Sequence, residues 1–139
     1  MQNSSPVNTP ISKGHALGSQ ICPKTPEETE RMSPVPYRSV VRSLMYVMVC
    51  TRPHICQAVG LVSRYQTDPG LAHWQAVKRI MRYLKRIADY ALCYQGGKDL
   101  QLVGYSVVDH ERDLDERKST SGYVFLLSDG AISWSSSKQ

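Results

Sequence analysis

A chain of 139 residues with 41% hydrophobic content is long enough for one domain with a modest core, and it has little stability to spare. No apolar run approaches the roughly eighteen residues of a membrane span, and the opening M-Q-N-S-S-P-V-N-T-P-I-S-K-G has no basic start followed by an apolar core, so neither a transmembrane helix nor a signal peptide is read. The net charge of +5 is segregated: between Tyr37 and Ala88 nine Lys or Arg stand against the single Asp68, whereas from Asp89 to Lys118 seven acids face four bases. A basic half tracks phosphate by releasing counterions, which makes nucleic acid one candidate partner; a solvated helix surface is the plainer reading of the same charges.

Residues 1–36 hold Pro6, Pro10, Pro23, Pro26, Pro34 and Pro36 with Ser, Thr and Asn between them and no sustained periodicity. This predicts an extended arm with at most a short turn around Glu27 to Met32. Residues 37–90 read as a helical region. Val40, Val41, Leu44, Met45 and Met48 follow helical spacing from Tyr37 to about Cys50, where Pro53 interrupts the pattern. Ile55, Ala58, Val59, Val62 and Tyr65 repeat the spacing until Asp68-Pro69-Gly70 ends it. The third helix, Leu71 to about Ala88, places Trp74, Val77, Met81, Leu84 and Ala88 on one face and Lys78, Arg79, Arg82, Lys85 and Arg86 over much of the rest.

Residues 91–139 read as strands. Ala91 to Tyr94 suits a strand, Gly96-Gly97 a turn, and Leu100 to Val107 a second strand. Then G-Y-V-F-L-L-S, D-G and A-I-S-W-S-S-S predict a hairpin, because Asp-Gly between two β-prone runs favours a tight primed turn. With Val124, Leu126, Ile132 and Trp134 on one face, such a sheet needs cover from the helices or from a partner.

Few residues carry chemistry. Cys22, Cys50, Cys56 and Cys93 show no C-x-x-C spacing, which predicts reduced thiols. His15, His54, His73 and His110 lack a nucleophile or a metal-ligand partner at usable spacing. Acids do gather after the second strand, at Asp109, Glu111, Asp113, Asp115 and Glu116, yet the strand's own last positions are Val107 and Val108. Asp109 lies two residues beyond Val107, on the same strand face, where it is read as a solvated acid or a weak cation contact. The other four are read as a polar loop.

Four stretches, V-P-Y-R-S-V-V-R-S-L-M-Y, C-T-R-P-H-I, H-W-Q-A-V-K-R-I-M-R-Y-L-K and D-E-R-K-S-T-S-G-Y-V-F with A-I-S-W, stand in an order and spacing that resembles the Pol polyprotein of Ty1/copia-type retrotransposons, where reverse transcriptase joins ribonuclease H. The resemblance covers essentially the whole chain, including the S-P-V-N-T-P of the arm. It implies an α+β fold: an extended N-terminal arm, three connecting helices, then an incomplete antiparallel ribonuclease H-like meander. Against the family's V-G-S-L-M-Y, T-R-P-D-I, Y-L-K-G and G-Y-S-D-A-D-W, this sequence has Arg42, His54, Arg86, and the run Val107, Val108, Asp109 and His110.

The family aspartate that resembles the nuclease metal ligand aligns with Val107. Two-metal hydrolysis needs converging carboxylates, and an isopropyl group offers neither charge nor lone pair. The family's other nuclease acids follow the third strand, after the last residue here, and its polymerase carboxylates precede the first. The resemblance therefore implies no enzyme, no cofactor and no metal.

The same region is similar to secreted RxLR-type effectors of downy mildews, proteins of host-pathogen interaction that carry a signal peptide, Arg-x-Leu-Arg and an acidic motif ending in Glu-Arg. Arg82-Tyr83-Leu84-Lys85 departs from the first motif by one residue and Asp115-Glu116-Arg117 resembles the second, although both lie far from the N-terminus. This likeness implies a non-catalytic, secreted protein that binds an unknown host protein and suppresses plant defence or cell death. The alternative is an inactive Pol fragment with weak, non-specific nucleic-acid binding through Lys78, Arg79, Arg82, Lys85 and Arg86. Neither reading involves a membrane.

Overall fold

A computed structural model describes residues 4–12, 17–94, 96, 100–109 and 119–138. Its elements are α1 (Pro26–Met32), α2 (Tyr37–Cys50), α3 (Cys56–Ser63), α4 (Leu71–Arg86), β1 (Leu102–Asp109), β2 (Thr120–Leu127) and β3 (Gly130–Lys138), with short 3₁₀ turns at Ser19–Ile21 and Pro53–Ile55.

The turn expected in the arm is a two-turn helix, α1. Pro26 opens it, the Thr25 hydroxyl accepts from the Glu28 N–H, and the Glu28 carboxylate accepts from the Lys24 N–H, so the end is capped from both sides. That backbone contact from Lys24, followed by the one at Thr25, holds the Glu28 carboxyl below its ordinary range. The arm is also less free than its prolines suggest. Leu17 is buried, and its carbonyl accepts from the Tyr65 hydroxyl at 3.1 Å.

Helix α2 buries Tyr37, Val41 and Leu44, one stripe at spacings of four and three, against Ala58, Val59 and Val62 of α3. The Tyr37 hydroxyl donates to the Val62 carbonyl at 2.8 Å, and burial pushes its phenol well above its usual range. Pro53 starts the 3₁₀ turn that leads into α3, so one residue both ends the first apolar pattern and begins the second.

Helix α4 corrects the expected face. His73, Val77 and Ile80 are fully buried, Trp74, Met81 and Leu84 only flank the core, and Ala88 is exposed beyond the helix end. The stripe runs one position away from the tryptophan because His73 is drawn inward. Its Nδ1 accepts from the Gly70 N–H at 2.9 Å, and its ring stacks on Tyr65 with centroids 4.0 Å apart. A β-carbon on Gly70 would run into the Ile21 carbonyl, a backbone atom with little room to retreat. Gly70→Ala should therefore cost about 2 kcal/mol of stability, read as a lower urea midpoint; an unchanged midpoint would mean that the Ser19–Ile21 turn is free to step aside.

The strands form one antiparallel meander in the order β1-β2-β3. Ser128 and Asp129 have φ of 47° and 70° and carry the turn, so the primed turn sits one residue earlier than the Asp-Gly pair predicts. Ile132 is the extra residue of a bulge, where pairing passes from Phe125 with Ser133 to Leu126 with Ala131. The strand expected at Ala91–Tyr94 does not form. That segment crosses the hairpin end instead, where the Tyr94 hydroxyl donates to the Ala131 carbonyl at 2.7 Å and the ring lies in the space above Gly130 that a side chain would need.

The helices cover the expected apolar face in part. The Trp134 indole N–H donates to the Met48 carbonyl at 3.0 Å, and Val124, Leu126 and Trp134 are half-buried. Ile132 stays exposed, as do Tyr105 and Val107 of β1.

Candidate functional site: the basic face of α4 and the end of β1

The basic residues of α4 recur at three- and four-residue steps, which aligns Arg79, Arg82 and Arg86 along one line and Lys78, Arg82 and Lys85 along its neighbour. Lys78, Arg79 and Arg82 are half-buried, and Lys85 and Arg86 are exposed. Lys85 and Arg86 fall in the last helical turn, where cations complement the negative end of the helix dipole. Arg52, from the turn before α3, donates to the Ala88 carbonyl just past that end.

The face is not bare. The N-terminal arm runs along it: Arg79 donates to the Thr9 carbonyl at 3.1 Å and to the Thr9 hydroxyl at 3.0 Å. Arg82 donates to the Ser5 carbonyl at 2.6 Å, and Lys85 to the Ser4 carbonyl at 3.3 Å. Beneath the arm a cavity of about 170 Å³ is lined by Pro10, Ile11, Leu17, Leu61 and Ile80, with Arg79 and Arg82 at its rim. Sequence reasoning missed this docking. Its signal is faint, since three of these four bonds end on backbone carbonyls, which every residue carries.

A second hollow, about 300 Å³, sits beside the C-terminal end of α4 between Arg52, His54, Tyr83, Ile87 and Tyr90. His54 meets Tyr83 edge-on, with centroids 5.6 Å apart. Partial burial, then the Arg52 charge, lower its pKa and favour the neutral imidazole. A guanidinium beside two phenol rings suits a planar or anionic group. Nothing in the separate stretches C-T-R-P-H-I and R-Y-L-K indicates that they meet.

At the end of β1, Val107 pairs with Gly122 and is 67% exposed, and Val108 is 50% exposed. Asp109 pairs with Thr120. Among the described residues no group of three or more His, Cys, Asp or Glu is placed to hold a metal ion. Glu111, Asp113, Asp115, Glu116 and Arg117, with His15 and His110, lie outside the described residues.

Of the two degenerate effector motifs, Arg82-Tyr83-Leu84-Lys85 is interior to α4. Arg82 is bound to the arm and Leu84 packs against the core, so it is not a free linear motif. The four cysteines form no disulfide with one another; Cys50 and Cys93 are exposed, Cys22 and Cys56 half-buried. Burial raises the Cys56 thiol, and the Ser136 backbone N–H partly offsets this.

Over all 139 residues the chain is 51% identical to the retrovirus-related Pol polyprotein from transposon TNT 1-94 of Nicotiana tabacum, and 38% identical to that from transposon RE2 of Arabidopsis thaliana. It spans 10% and 9% of those polyproteins. Over 108 residues, 78% of the chain, it is 47% identical to secreted RxLR effector protein 161 of Plasmopara viticola, and the match covers 76% of that protein. No family profile matches the chain. No solved structure matches it.

Proposed function

The chain belongs to the copia-type retrotransposon Pol family and is also similar to a Plasmopara viticola effector, and from that premise we propose that it acts by binding rather than by catalysis. The observation that carries this reading is Val107. It stands where the family's first ribonuclease H aspartate is expected, on an exposed position of β1, and it cannot ligate a cation.

The most concrete role is that of a secreted effector-like protein that enters the host plant cell and dampens defence or cell death through a host protein. The match to effector protein 161 supports it, because there the shared segment is about three quarters of a protein and not a tenth of one. Expression of the chain in plant leaves should suppress cell death triggered by a co-expressed elicitor. Undiminished cell death at equal protein level would remove the effector role and leave the binding protein.

A second reading, weak and sequence-independent binding of nucleic acid, is favoured by one feature. Arg86 is exposed at the end of a helix on which Arg79, Arg82 and Lys85 meet neutral oxygens of the arm. Such a surface attracts phosphate with a steep dependence on salt.

A further inference from the structure

The arm lies on α4 in a chemically unbalanced way. The Arg79 guanidinium straddles one residue, with Nε on the Thr9 carbonyl and Nη2 on the Thr9 hydroxyl, and one turn along the helix Arg82 holds the Ser5 carbonyl. All three acceptors are neutral. Among the described residues no carboxylate meets Arg79 or Arg82, so two guanidinium groups converge on the arm without a counter-charge there. The Thr9 side chain is exposed, in a segment with neither helix nor strand, and Pro10 follows it. A proline at that position keeps the residue before it extended, the shape in which a proline-directed kinase takes its substrate.

We infer that Thr9 is a phosphorylation site and that its phosphate, gripped by Arg79 and Arg82, locks the arm onto α4. In the transfer, Thr9 Oγ1 attacks the γ-phosphorus of ATP bound to a proline-directed Ser/Thr kinase. The bond from that phosphorus to the bridging oxygen breaks, ADP leaves, and the hydroxyl proton passes to the kinase's catalytic carboxylate. The product carries nearly two negative charges and three strong acceptor oxygens where one hydroxyl now accepts a single bond. Neutral contacts become charge-assisted ones, and arginine's planar fork suits a phosphate better than a carbonyl. Ser5 also precedes a proline, Pro6, but only its carbonyl meets a guanidinium; Thr9 alone of the two presents its hydroxyl to one.

The test uses the full chain, a proline-directed kinase and ATP. Peptide mass spectrometry should find phosphate on Thr9 and none there in Thr9→Val. Phosphorus NMR of the product should show the second phosphate ionisation about one unit below its ordinary value near 6, and Arg79→Gln with Arg82→Gln should return it to that value. Thr9 is exposed and the two arginines are half-buried, and matching circular dichroism would confirm that the fold is kept in both variants. Phosphate on Ser5 with Thr9 untouched would overturn the inference, as would an ionisation that is the same with and without the two arginines. No nucleic acid or host protein enters either measurement, so this result stands apart from the readings of function above.

Discussion

Replacing Arg82 and Arg86 together with Glu should weaken binding of a single-stranded oligonucleotide at low salt by at least about tenfold and flatten its salt dependence by about 0.7 in slope, the contribution of the one phosphate that Arg86 no longer neutralises. The two arginines are not equivalent. Arg86 is exposed and open to a phosphate, whereas Arg82 is already committed to the Ser5 carbonyl. Arg86→Glu alone should therefore account for most of the loss, while Arg82→Glu alone also loosens the arm and exposes Arg79. Fluorescence anisotropy over a salt series separates these effects. Equal affinity in the double variant and the parent would place any nucleic-acid site away from α4, and no binding by the parent at low salt would leave the helix a solvated surface.

The sheet should exchange its amide hydrogens faster than α4 by about two orders of magnitude, because local opening spans the range from almost no free energy up to that of global unfolding. Strand β1 is the reason. It lies at one edge of the sheet, and Leu102, Tyr105, Val107 and Val108, on both of its faces, are at least half exposed. Helix α4 instead has Val77 and Ile80 at 0% exposure in the centre of the core. Among the described side chains the Trp134 indole ties β3 to the helices through the Met48 carbonyl, so Trp134→Phe should quicken exchange in β2 and β3 and leave Val77 to Leu84 unchanged. Burying the exposed apolar residues of β1, on dimerisation or against a partner, should slow the exchange. Protection of β1 equal to that of α4 in a dilute monomer would show that the sheet closes its own core.

Local periodicity made the helices readable. The spacing of Val40, Val41, Leu44, Met45 and Met48 and the stop at Pro53 mark α2, of which Val41 and Leu44 are buried and Met45 is exposed, and Asp68-Pro69-Gly70 separates α3 from α4. Side-chain contacts that oppose a residue's usual preference were not readable. His73 is polar by type, yet Gly70 and Tyr65 hold it in the core, which turns the α4 stripe toward Ile80. Ala91–Tyr94 has strand-like residues, but the Tyr94 hydroxyl finds its acceptor across the hairpin end and not along a neighbouring strand. The basic face of α4 was visible as charge alone. The arm that lies over it was not, because carbonyl acceptors leave no trace in residue type.

Acting by binding and not by catalysis is the central claim, and cleavage of the RNA strand in an RNA-DNA hybrid tests it most directly. With magnesium or manganese the purified chain should release no product above a buffer control. Val107→Asp should be equally inactive, because among the described residues one new carboxylate on β1 finds no cluster of metal-ligating residues to complete. Metal-dependent cleavage by the unaltered chain that disappears on Asp109→Asn would contradict the account.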